Sequence, residues 1–192
     1  TGSVLHVLKD ALSYALRTWR DWQGTVTGVI IMTMNPAVFS LSHYGVHAVV
    51  LLALCLLSTG VFLRHFLKKR LGLPWRAAFL GLSAAQFLFL PDIVEGVYWF
   101  NGAWFYMGAQ AVALMTLAWG DSLSERPVRG AKTLLGFALC WALLFALGMD
   151  NYITAMMTAA ALLMLALWRL AAREKGAALR TALLLVPIGA GL

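Results

Sequence analysis

Residues 91–106, Pro-Asp-Ile-Val-Glu-Gly-Val-Tyr-Trp-Phe-Asn-Gly-Ala-Trp-Phe-Tyr, place two carboxylates, six aromatic rings and an Asn-Gly turn between two long apolar runs. Carboxylates are costly beside hydrocarbon and hold such positions through function or pairing. If a helix starts at Pro91, Asp92 falls in its first turn, where the helix dipole favours it. Glu95 lies a turn further on and gains less, so it is the first candidate for chemistry, with Asp92 second. Acids can activate a hydroxyl as general bases, cations can hold a phosphate, and flat rings can stack on the apolar face of a sugar. The chain offers all three: Asp92, Glu95 and Asp150; Arg17 and Arg20; and Trp22, Tyr98, Trp99 and Tyr106, with Asn101 at the turn. The competing reading of the rings is an aromatic belt at a membrane surface. No metal-ligand spacing, nucleophile elbow or Gly-rich phosphate loop is visible. His43 and His47 read as packed histidines, and Cys55 and Cys140, inside apolar runs, as small buried groups.

The elements that would position these groups are apolar helices. The 192 residues are 61% hydrophobic and 12% charged, whereas about a quarter of a soluble domain is charged. The net charge of +7 does not indicate nucleic acid, because the basic residues sit in short clusters between apolar runs rather than on one face. The expected fold is all-α: a polytopic transmembrane helical bundle with an N-terminal interfacial amphipathic helix, as one domain over 1–192. Spans are expected near 44–66, 73–90, 102–119, 134–149, 153–168 and, cut off by the end of the sequence, 181–192. In 4–22 the apolar residues recur at helical spacing against Lys9, Asp10, Ser13, Arg17, Arg20 and Asp21, the pattern of a helix lying in the membrane interface. Asn35-Pro36 should break the run 24–40. The sequence opens on Thr-Gly-Ser and stops within an apolar run, so a piece of a longer protein is expected.

Apart from Lys9, Arg17 and Arg20, every Lys and Arg falls in 64–76, 126–132 or 169–180. These loops alternate with the acidic turns at 92–95 and 150, so the basic loops are expected on the cytoplasmic side of the membrane and the acidic ones outside.

The segment Glu95-Gly-Val-Tyr-Trp99-Phe-Asn-Gly102-Ala-Trp-Phe-Tyr106 resembles the extracytoplasmic motif of GT-C-type membrane glycosyltransferase-like families, including bacterial ones without assigned function. Tyr14 followed by Trp22-Gln-Gly24 resembles their Trp-x-Gly element. The resemblance spans roughly residues 10–106. It implies a multi-helix GT-C architecture, a polyprenyl-phosphate-linked sugar donor, a glycan or glycolipid acceptor, and the interfacial helix as the roof of the site. Two departures accompany it: Thr25 stands where an Arg usually follows the Trp-x-Gly element, and the acidic residues that follow the first transmembrane helix in these families would fall before Thr1. The principal catalytic base is therefore expected upstream. A divalent cation is the one cofactor left open. The alternative is a non-enzymatic transporter, flippase-like or structural subunit, disfavoured because the acids lie at span ends while span centres hold only Ser58, Thr59, Gln110 and similar groups.

Overall fold

The computed structural model describes residues 4–21 and 24–192, and all its regular structure is helical. Trp22, named above as a site residue, lies outside the described residues. Three stretches are long and apolar enough to cross a membrane: Leu41–Arg70, Ala131–Gly148 and Tyr152–Ala171.

Helix α1 (Val4–Asp21) has three faces. Ala11, Ala15 and Thr18 are buried, and their small side chains let α1 lie against α2 (Val26–Thr33). Leu5, Leu8, Leu12, Leu16 and Trp19, one row at i, i+3, i+4 spacing, are left exposed. Such a bare apolar row beside a charged face is what an interfacial helix presents to lipid. Helix α2 ends where expected: the Asn35 side chain accepts a hydrogen bond from the Ala37 N–H (3.0 Å) and starts the 3₁₀ turn Pro36–Val38, followed by another at Leu41–His43.

Helix α3 (Val46–Leu63) continues through a wide π turn, Arg64–Arg70, into α4 (Trp75–Leu88). The run 73–90 was expected to span, but α4 has 14 residues, about 21 Å at 1.5 Å per residue, short of a ~30 Å hydrocarbon core. Pro74 sets its start and the chain turns at Pro91 beyond its end. A π turn at Val94–Tyr98 leads to α5 (Phe100–Ala103), a second π turn (Trp104–Gly108) and α6 (Ala109–Ser124).

Helices α7 (Ala131–Gly148) and α8 (Tyr152–Ala171) cover the runs expected at 134–149 and 153–168 and follow one another across a short turn. The run from 181 is not one helix: α9 (Lys175–Leu183) and α10 (Leu185–Gly191) meet at Leu184, with Pro187 removing a backbone donor just beyond. Helix α10 packs on α7 at backbone distance, since a Cβ on Gly148 would stand 2.6 Å from the Ile188 carbonyl oxygen.

Among the described residues, two buried clusters hold the helices together. One joins α6, α7, α8 and α10 through Ala113, Cys140, Leu144, Ala155, Leu162 and Ile188; the other joins α3 to residues 97–111 through Ala48, Leu51, Cys55, Val97, Ala103 and Met107. Both are rich in small residues, as helix contacts in lipid are, where close backbone approach replaces the hydrophobic drive available in water.

Candidate functional site

The loop after α4 is built on Asp92. Its Oδ1 accepts hydrogen bonds from the Val94 N–H (2.7 Å) and the Glu95 N–H (3.1 Å), so this carboxylate is engaged as a helix cap. Glu95 is exposed and makes no side-chain hydrogen bond or ion pair among the described residues. The chain then straightens at Trp99, and the residue leading into α3 holds that break: the Tyr44 hydroxyl donates to the Tyr98 carbonyl (2.9 Å) and accepts from the Phe100 N–H (3.2 Å). His47 Nε2 lies 3.1 Å from the same carbonyl, and its ring packs edge-on against Tyr44 and Phe100. His47 is thus a packed structural residue, while His43 sits exposed in the preceding turn.

With the break fixed, residues 99–106 present alternate sides to α2. On one side a cleft of about 430 Å³ opens between Tyr14 and Thr18 of α1, Thr25, Val29, Met32 and Thr33 of α2, and Trp99, Asn101, Gly102, Phe105 and Tyr106. Three of the residues nominated from sequence, Trp99, Asn101 and Tyr106, therefore line one cavity. Asn101 Oδ1 is buried without a partner. Arg17 lies over the Tyr14 ring at 6.0 Å, at the rim of the cleft. Arg20 is exposed, and Tyr98 is exposed and outside the lining.

On the other side, Ile31, Met34, Pro36, Val46, Val50, Phe100 and Trp104, with His43 and His47, enclose an almost wholly apolar cavity of about 470 Å³. Behind the shared wall, a third cavity of about 180 Å³ contains Thr27, Trp104 and Asp150. Asp150 is 4% exposed, and its Oδ1 has no hydrogen-bond partner among the described residues, as is also true of Trp104 Nε1. Burial pushes the Asp150 carboxyl up to about 7, because a charge without a partner is disfavoured away from water.

Asp150 is brought here by the α7–α8 turn. The Thr27 N–H donates to the Met149 carbonyl (2.9 Å), the Gly24 N–H donates to the Tyr152 hydroxyl (2.9 Å), and Asn151 Oδ1 caps α8 by accepting from the Thr154 N–H (3.0 Å). Gly28 makes the approach possible: a Cβ there would stand 2.7 Å from Asp150 Oδ1 and 2.9 Å from the Phe105 ring. Phe105 lines the cleft, and its ring and the Asp150 carboxyl both close on Gly28.

At the opposite end the structure assembles a centre that the sequence reading missed. Asp121, fully buried in α6, receives Arg169 of α8 on Oδ1 (2.5 Å), and Arg70 (2.6 Å) and His65 (2.6 Å) on Oδ2. Glu125 adds ion pairs to Lys69 (2.9 Å) and Arg70 (2.8 Å), and Glu174 one to Arg169 (3.3 Å). Burial by itself would raise Asp121; the hydrogen bonds from His65, Arg169 and Arg70 and the Arg169 charge outweigh it and bring the carboxyl down to about 2. A signal was present in the sequence: an acid just past an apolar run on the basic side requires a partner.

Among the described residues, no group of three or more His, Cys, Asp or Glu side chains is placed to hold a metal ion. No protein-family model, curated protein or solved structure matches the chain.

Proposed function

We propose that the chain spans a bacterial inner membrane with its basic loops in the cytoplasm, and forms part of a GT-C-type glycosyltransferase that uses a polyprenyl-phosphate-linked sugar donor. The observation that carries this reading is the pair of cavities flanking residues 99–106: one aromatic with polar groups, the other apolar. Trp99 lines the first and its neighbour Phe100 the second, so one amphiphile laid across that edge would find a surface for each half. The prenyl chain enters the apolar cavity, and the sugar stacks against Trp99 and Tyr106 while a hydroxyl donates to Asn101 Oδ1. Arg17 at the rim meets the phosphate, a cation on the leaving group being the electrostatic requirement of such a transfer. Asp150 provides a carboxyl that changes charge near neutral pH, the range in which a general base is most useful. The exposed Glu95, at the start of the same segment, faces the acceptor glycan or glycolipid.

The transporter reading gains less from the arrangement. Its mid-span polar groups are already engaged: Ser58 donates to the Cys55 carbonyl (3.0 Å) and Thr59 to Gln86 Oε1 (3.4 Å).

The test uses full-length protein in proteoliposomes with a prenyl-phosphate sugar carrying a photoreactive group in its chain. Crosslinks should fall on the Val46–Val50 and Phe100–Trp104 segments, and Trp99→Ala should abolish transfer to an acceptor. Crosslinks scattered over the lipid-facing sides of α7 and α8, with transfer unaffected by Trp99→Ala, would refute the assignment.

A further inference from the structure

The π turn at the end of α3 carries Arg64, His65, Lys68, Lys69 and Arg70. Three of these cations are committed: His65 and Arg70 to Asp121, and Lys69 to Glu125. Arg64 and Lys68 are exposed, and neither has an acidic partner among the described residues. Both line a cavity of about 480 Å³ at the basic end of the molecule. A second cavity of about 350 Å³ adjoins it, running between α3 and α4 with Leu57, Gly60, Trp75 and Phe79 in its walls. The two share Val61 and Arg64, so they form one slot with a cationic head and an apolar body. The Phe79 ring packs against Gly60, whose missing side chain deepens the groove there, and Trp75 stands beside that ring at 6.1 Å.

We propose that this slot binds an anionic phospholipid, with its phosphate on Arg64 and Lys68 and an acyl chain along Trp75 and Phe79. Two free cations next to an apolar groove complement a diester phosphate joined to a hydrocarbon chain, and neither half of the slot accounts for the other without such a ligand. Its location fits the source: the slot lies at the end of a helix long and apolar enough to cross a membrane, and basic pockets between helices on the cytoplasmic side are where acidic headgroups are recognised. The site depends on the chain being membrane-embedded and is independent of the sugar-transfer reading.

Trp75 makes the ligand measurable. The intact protein is placed in phosphatidylcholine bilayers containing phosphatidylglycerol with brominated acyl chains, or the same mole fraction of brominated phosphatidylcholine, and tryptophan quenching is compared. The brominated phosphatidylglycerol should quench more strongly, and Trp75→Phe should remove the excess. The double variant Arg64→Gln, Lys68→Gln should weaken the apparent preference on the order of 30-fold, which is about 2 kcal/mol at 1.4 kcal/mol per factor of ten. The pair Arg126→Gln, Arg129→Gln, which removes two exposed cations from a neighbouring loop, should leave the preference intact. Equal quenching by the two lipids would overturn the proposal, as would an equal loss in both double variants, which marks general surface attraction. Displacement of the excess by inorganic phosphate at matched ionic strength would also overturn it, since the site would then hold a simple anion.

Discussion

Asp121 and Arg169, both fully buried, meet at 2.5 Å where α6 passes α8. Arg169 also donates to the Asp121 backbone carbonyl (3.1 Å), and Arg70 reaches the other carboxylate oxygen through both Nε (2.8 Å) and Nη2 (2.6 Å). A single buried acid therefore ties a cation of α8 to one of the π turn after α3. Removing one partner of such a centre leaves the others charged and desolvated, typically a loss of about 3–5 kcal/mol. Asp121→Asn should lower the unfolding temperature in detergent substantially, and an unchanged melting curve would contradict a clasp at this end. The pH sign follows from the lowered carboxyl. Its ordinary value is 3.8 and its folded value about 2, so the contribution is complete above about 4 and is lost as pH falls toward 2.

Gly28 is the hinge of the opposite end. A methyl group there would overlap both Asp150 Oδ1 and the Phe105 ring, and overpacking of this kind typically costs about 1–3 kcal/mol. Gly28→Ala should destabilise the protein by that amount and narrow the cleft, seen as weaker binding of any cleft ligand. Gly45→Ala, where nothing lies within 4 Å of the added atom, is the control and should do neither.

The alternation of basic and acidic loops was legible because charge along a sequence is local information. The break at Asn35-Pro36 and the amphipathic helix α1 were legible for the same reason: a prolyl ring and an i, i+3, i+4 pattern act over a few residues, whereas the burial of Ala11, Ala15 and Thr18 depends on α2. Three of the candidate residues, Trp99, Asn101 and Tyr106, share a cleft because they belong to one short segment. The contacts that cross the chain were not readable. Arg169 and Asp121 are 48 residues apart and Arg70 and Asp121 51 apart, and no pattern in a single sequence pairs a cation in one loop with a particular acid in another. Gly28 and Asp150 meet through the same kind of long-range packing. The division of labour between Asp92 and Glu95 was readable only in part: the local advantage of Asp92 could be argued, whereas the exposure of Glu95 depends on how the π turn after it is wound.

Orientation can be tested with single cysteines in a background lacking Cys55 and Cys140. Asn151 is a poor site because it is 2% exposed and caps α8, so exposed Ile93 and exposed Arg129 are the better pair. With the basic loops inside, Ile93→Cys should react with an impermeant thiol reagent added to intact cells and Arg129→Cys only after lysis. The opposite pattern would reverse the proposed topology and move the aromatic cleft to the wrong side for a lipid-linked donor.

Glu95 has no structural partner among the described residues, so Glu95→Gln should leave detergent stability unchanged. If it serves the transfer reaction in the full-length protein, the same change should lower the rate by about 10²-fold, the scale of losing an acid–base group. A variant that transfers sugar normally would leave the exposed carboxylate with no part in the chemistry.

Asp150 differs from Glu95 because it affects both stability and reaction. Its folded value of about 7 lies above the ordinary 3.8, so the folded state holds a proton that the unfolded chain releases. The Asp150 contribution to stability is therefore greatest below about pH 4, declines as pH rises toward about 7 and is flat beyond, a total of about 4 kcal/mol at 1.36 kcal/mol per unit. Asp150→Asn should flatten that profile in thermal unfolding and make the protein more stable than wild type at about pH 8, since no charge is then buried. A carboxyl serving as base would also give the transfer rate a limb near pH 7 that the Asn variant lacks. A variant that is more stable at high pH and slower in transfer would show a group kept at a cost to the fold for its chemistry. A variant that is more stable and equally fast would return Asp150 to packing and leave the reaction to other acids.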